Sequence, residues 1–258
     1  MKQLKIITLA TALIVLAVPA LAMGPLDVSA DLALNSKYVW RGMVATDDAV
    51  LQPGVSASVA GFSFGLWGNI DTSDYNDTEW KFNEIDYIIG YDLSLPKVSL
   101  GAGLIYYDFP NTELEATTEL YVSASLGVLL SPTLTIYQDI DQFKGAYWEA
   151  SVSHGMPLSP VANLELTAGL GLGSKGYLSG YFGAIPDPDN PTEWTDVTGA
   201  SMSDFFLSAG LPFSKVPFLT ITPAVTYTSL LGDAKDAVDG HEGDTSTFYY
   251  GLTASFSF

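Results

Sequence analysis

The chain has 258 residues, 29 acidic and 10 basic side chains, a formal net charge of −19 and no cysteine. This balance excludes a basic nucleic-acid footprint, so no nucleic-acid partner is expected, and it excludes disulfide staples. Charged residues are only 15% of the chain against 48% apolar, so the acidity does not signal disorder.

Lys2 and Lys5 precede an apolar run from Ile6 to Ala17, and Ala20-Leu21-Ala22 supplies small residues for cleavage. This pattern predicts a secretory signal peptide over residues 1–22, its apolar core too short to span a bilayer. Residues 23–258 then form one domain.

The first strand is expected over Asp27–Trp40, with Val28, Ala30, Leu32, Leu34, Tyr38 and Trp40 on one face. Asp27, Asp31, Asn35 and Lys37 alternate with them, and Arg41 follows. Strands over Gly54–Ala60 and Phe62–Asp71 meet at Ala60-Gly61, and a polar segment covers residues 72–83. Glu84–Leu93 and Val98–Tyr107 are joined by Ser94-Leu95-Pro96-Lys97, Thr118–Leu129 and Leu134–Asp141 by Ser131-Pro132. Tyr147–Met156 and Asn163–Gly173 flank Pro157–Pro160. The longest loop runs from Ser174 to Met202. Ser203–Leu211 and Phe218–Ser229 follow, then a loop over Leu230–Ser246. In the last strand Phe248, Tyr250, Leu252, Ala254, Phe256 and Phe258 alternate with Tyr249, Gly251, Thr253, Ser255 and Ser257.

Twelve strands with short and long connections in alternation predict an all-β fold, a transmembrane antiparallel up-and-down β-barrel of the Gram-negative outer membrane. Both termini then fall at the short-turn, periplasmic end. Acids segregate to the face opposite the apolar series, as lipid contact demands, since a lysine or arginine facing the bilayer midplane costs roughly 2–4 kcal/mol. A water-soluble sandwich would show the same split. The aromatics favour the barrel: Tyr38, Trp40, Tyr87, Tyr106, Trp148, Tyr227, Phe248 and Tyr250 sit on the apolar face near the long loops, like an interfacial girdle.

The segment Ser36-Lys37-Tyr38-Val39-Trp40-Arg41-Gly42 resembles the opening motif of the TorF-type family of bacterial porins. That resemblance implies channel-like character and brings no catalytic residues. The terminal strand ending on Phe258 resembles the closing strand of outer-membrane barrels, which implies the barrel-assembly machinery as a partner besides outer-membrane lipid.

Asp31, Lys37, Arg41, Asp71, Asp86, Glu119, Asp139, Glu149 and Glu165 are expected to line the lumen. Lys37 and Arg41 could grip an anionic solute or simply balance the acids. The acids favour cations. Twelve strands lie between barrels that side chains fill and barrels that leave a channel. Asp239, His241, Glu242 and Asp244 form an acidic loop that could hold a divalent cation through oxygen ligands, though without the spacing of a calcium loop. No phosphate loop, zinc motif or nucleophile elbow appears in a suitable context, and no cofactor is expected. The leading expectation is a non-enzymatic porin for passive diffusion of small hydrophilic solutes, cations favoured. The alternatives are a barrel hydrolase using His241, and a closed structural or adhesive barrel with acidic ligand-binding loops.

Overall fold

The computed structural model describes residues 26–187, 190 and 193–258. The expected signal peptide lies outside the described residues.

Period-2 alternation gives twelve long strands: β1 (Asp27–Asn35), β2 (Val50–Val59), β3 (Phe62–Asp71), β4 (Phe82–Ser94), β5 (Val98–Asp108), β6 (Thr117–Leu126), β7 (Thr133–Asp139), β8 (Ala146–Ser159), β9 (Ala162–Gly173), β10 (Ser201–Gly210), β11 (Leu219–Leu230) and β12 (Ser246–Ser257). Each pairs antiparallel with its neighbour in sequence. β1 also pairs with β12, from Ser29 opposite Ser257 to Asn35 opposite Gly251, so the sheet closes. A short strand, Phe213–Val216, adds to the turn between β10 and β11. All but β7 run between 9 and 14 residues, about the length a tilted strand needs to cross a bilayer.

The two faces differ as the alternation dictates. Leu32, Leu34, Phe62, Phe64, Tyr87, Ile89, Leu120, Val122, Leu207, Val225 and Leu252 point outward and are exposed, Phe248 and Tyr250 most of all at 66% and 69%. In water this much apolar surface would aggregate; against acyl chains it is the stable arrangement. Buried carboxylates, amides and hydroxyls occupy the other face, among them Asn69, Asp71, Glu84, Asp86, Glu119, Asp139 and Asp204. Short turns gather at one end. The tightest, Ala60-Gly61, has positive φ at both residues, the geometry that lets a two-residue loop follow the strand twist. The start of β1 and the end of β12 meet at that rim, where Phe258 N–H donates to the Val28 carbonyl at 2.9 Å.

Several expected boundaries move. β1 ends at Asn35 rather than Trp40, β6 at Leu126 rather than Leu129, and β8 continues through Pro157 to Ser159. The two longest loops are built. Ser174 caps a short helix, α1 (Lys175–Tyr181), its hydroxyl accepting from the Tyr177 N–H. The last long loop contains α2 (Gly232–Gly240), which buries Ala234 and Ala237 three residues apart.

Candidate functional site: a hairpin laid across the lumen

After Asn35 the chain leaves the wall. Tyr38–Trp40 and Met43–Thr46 form a small hairpin of their own, with Trp40 opposite Met43. Its tip is therefore the pair Arg41-Gly42, at φ 46° and 82°. Two successive left-handed residues suit a two-residue hairpin loop, and glycine takes the second without strain. Gly42 is also a close approach: a Cβ there would lie 2.7 Å from the Cβ of Asp204 on β10.

This corrects the expected girdle. Tyr38 and Trp40 do not face lipid; Tyr38 is buried and Trp40 packs edge-on to Tyr107 and against Tyr177 and Tyr181. Strand parity could not reveal this, because an apolar alternation looks the same against lipid and against an interior. The remaining girdle residues, Tyr87, Tyr106, Trp148, Tyr227, Phe248 and Tyr250, stay outside the interior cluster.

The hairpin carries Arg41 across the lumen. In a ring of twelve strands β7 lies opposite β1, and the Arg41 guanidinium sits 4.4 Å from the ring of Tyr137 on β7 and 4.4 Å from that of Tyr147 on β8. Trp40 lies at 4.3 Å and Tyr177 of α1 at 5.7 Å. Two parallel bonds, 2.8 and 2.7 Å, join it to both carboxylate oxygens of Glu119 on β6. Tyr107 donates to Glu119 as well, at 2.9 Å. A guanidinium held by a bidentate carboxylate and several aromatic faces has its hydration replaced on every side, which makes burial tolerable. Burial pushes the hydroxyls of Tyr177 and Tyr181 well above the usual phenol range, so both α1 rings stay neutral beside it.

Two further acids fasten the loops. Asp71 accepts from Thr46 Oγ1 at 2.9 Å, Asn69 Nδ2 at 3.0 Å, Asn76 Nδ2 at 2.8 Å, Thr78 Oγ1 at 2.9 Å and Asn83 Nδ2 at 2.9 Å. It ties the returning arm of the hairpin to the loop between β3 and β4. Asp139 accepts from Thr117 Oγ1 at 2.7 Å and from the backbone N–H of Asp141, Phe143 and Lys144. It organises the turn between β7 and β8.

The other expected lumenal residues are placed differently. Lys37 pairs with Asp47 beside the hairpin and not with an acid of the wall. Glu149 is half-buried, and Asp31 and Glu165 are exposed toward the short-turn half. Two interior acids escaped the sequence reading. Glu84 is buried two residues from Asp86 on the same face, and Asp204 accepts from the Tyr147 hydroxyl at 3.0 Å. Both lie at strand ends just before a bulge and keep the inward parity of Asp86 and of Ser208, so alternation alone carried the signal. Among the described residues no group of three histidines or carboxylates is arranged to hold a metal ion. His241, next to the acidic loop, stacks on Trp194 with ring centroids 4.4 Å apart.

The hairpin divides the long-loop half of the interior. One side is packed solid: Tyr147, Tyr177, Leu178, Val197, Leu230 and Ala234 form an apolar cluster, with Trp40, Tyr137 and Tyr181 against it. The other side holds a cavity of about 1000 Å³ bounded by the hairpin, α1 and the β3–β4 and β5–β6 loops. Toward the short turns, the small inward residues Ser123, Ser151, Thr167, Thr253 and Ser255 keep contact with solvent.

A closed antiparallel sheet, apolar outside and polar within, defines a β-barrel of the outer-membrane type. The chain belongs to the family described as "Bacterial protein of unknown function (Gcw_chp)", whose model matches residues 19–175. No curated protein matches the chain in sequence. Among solved structures, the KdgM porin superposes with a TM-score of 0.52 at 12% identity, over 89% of this chain and 99% of that one. LpxR from Salmonella typhimurium gives 0.49 at 10% identity, over 89% and 99%. The NanC porin gives 0.45 at 14%, over 90% and 98%. At these identities the likeness is one of fold.

Proposed function

We propose that the protein is an outer-membrane channel for passive diffusion of small hydrophilic solutes, with cations favoured. Its long loops would face outward and its termini the periplasm, and its closing strand, ending at Phe258, would engage the assembly machinery. The observation that carries this reading is the hairpin across a polar lumen, which narrows the barrel on one side and leaves a cavity on the other. A structural barrel needs no such division; a channel that sieves does. Channel-like character also follows from the resemblance to TorF-type porins. The interior acids outnumber Arg41, its single buried cation among the described residues, so the lumenal field attracts cations.

Proteoliposome swelling tests it. Vesicles containing the refolded protein should swell in isotonic pentose or amino-acid solutions and hold their volume in a trisaccharide; equal rates with and without protein would remove the channel reading.

The second reading is a closed barrel whose loops bind a ligand, and the packed aromatic cluster at the long-loop end favours it. There the vesicles would stay tight while the loops retained their binding.

A further inference from the structure

The cavity beside the hairpin has a composition of its own. Its walls include the rings of Tyr38, Trp40, Tyr107 and Tyr181, and Glu84 is buried at its edge. Asp77, Glu113 and Glu115 stand exposed around the mouth. Among the described residues, no lysine, arginine or histidine lines it. Beyond Glu84 on the same inward face lies Asp86, only 9% exposed, whose Oδ1 has no hydrogen-bond partner among the described residues. A buried carboxylate oxygen left without a donor is costly, and Arg41, the nearby cation, is already bound through both of its terminal nitrogens to Glu119. The interior therefore presents acid beyond what its own cation offsets.

A few ångströms away the chain shows which chemistry this environment accommodates. Arg41 is held by aromatic faces and a carboxylate, with Trp40 and Tyr107 belonging to both settings: Trp40 covers the guanidinium and Tyr107 bonds its Glu119 partner. The cavity repeats that combination without a cation supplied by the protein. We propose that it is a binding site for a small organic cation bearing a guanidinium or ammonium group. The cationic head lies against Trp40 and Tyr38 and is drawn toward Glu84 and Asp86, while the mouth acids attract it from solution. A bare metal ion fits less well, since at about 1000 Å³ the space far exceeds one ion and no triad of ligands converges in the described residues. The site refines the cation preference proposed above by naming a class of solute, yet binding is read separately from conduction, so a barrel that never conducts leaves its test intact.

The probe is agmatine, which carries a guanidinium and an ammonium, titrated calorimetrically into the refolded full-length barrel in detergent at physiological ionic strength. Saturable binding of one agmatine per barrel is expected, with excess K⁺ competing weakly. Glu84→Gln with Asp86→Asn should weaken it by about tenfold or more, as loss of two facing carboxyl groups implies. Should the double variant misfold, Glu84→Gln alone and Trp40→Leu each carry the same expectation. Asp31→Asn with Glu165→Gln, in the other half of the barrel, should bind as the parent does. Absence of saturable binding would overturn the proposal. So would equal weakening by both pairs of substitutions, which would mean diffuse attraction to an acidic barrel.

Discussion

Arg41 is the residue on which the interior turns. Its side chain is 8% exposed and that of its partner Glu119 1%, so the pair is desolvated on both sides. Removing one partner leaves the other charge buried and alone, which costs about 3–5 kcal/mol, whereas replacing both by apolar groups of similar size is far less damaging. Arg41→Met should therefore lower the urea midpoint of the barrel in micelles strongly, and Arg41→Met with Glu119→Leu should recover most of the loss. If the double variant fell as far as the single one, the pair would not be acting as a unit. Asp71 gives a second expectation. Asp71→Ala takes an acceptor from five side-chain donors, of which Asn69 and Asn76 keep another, and at about 1–3 kcal/mol for each group left unsatisfied, less whatever water recovers, the loops it ties should open first. Hydrogen exchange at Thr46, Asn76 and Thr78 would report this before the strands unfold.

At the scale of elements, the hairpin of residues 38–46 is the part that sets the width of the interior. Asn35 and Val50 are paired across β1 and β2, so a short Gly-Ser link can join them after the hairpin is removed. That deletion should raise single-channel conductance several-fold, because it withdraws Trp40 and Arg41 from the lumen. Unchanged conductance would place the narrowing elsewhere. The hairpin is also where sequence reading fails. Alternation along Asp27–Asn35 continues in phase through Tyr38 and Trp40, and nothing in a period of two tells an outer aromatic from an inner one. The signal that could have separated them was Arg41-Gly42, a residue pair suited to a two-residue turn. The two helices were expected as loops, although Ser174 suits an N-cap and Ala234, Ala237 and Val238 recur at helical spacing. The existence of the twelve wall strands, by contrast, was written in the alternation, because every wall residue has only two environments to choose between.

At the scale of the whole molecule, two halves of one barrel are asked to do different things. The long-loop half is narrowed by the hairpin, α1 and the aromatic cluster. The short-turn half is wetter and carries Asp31 and Glu165, with Glu149 between the two. Under the proposed function, the first sets which solutes fit and the acids of both set the sign of the charge. Neutralising Asp31, Glu149 and Glu165 together should lower the cation preference without closing the path, since none of the three holds a loop in place. These acids were legible by face alone. Glu84 and Asp204 keep the same inward parity, each at a strand end just before a bulge, so they too were within reach of the alternation. Single-channel recording of the refolded protein in a planar bilayer under a KCl gradient separates a cation channel from a closed barrel. Discrete steps with a reversal potential displaced toward that of K⁺ are the predicted result; a folded, inserted barrel that never conducts, or one that conducts with anion preference, would contradict it.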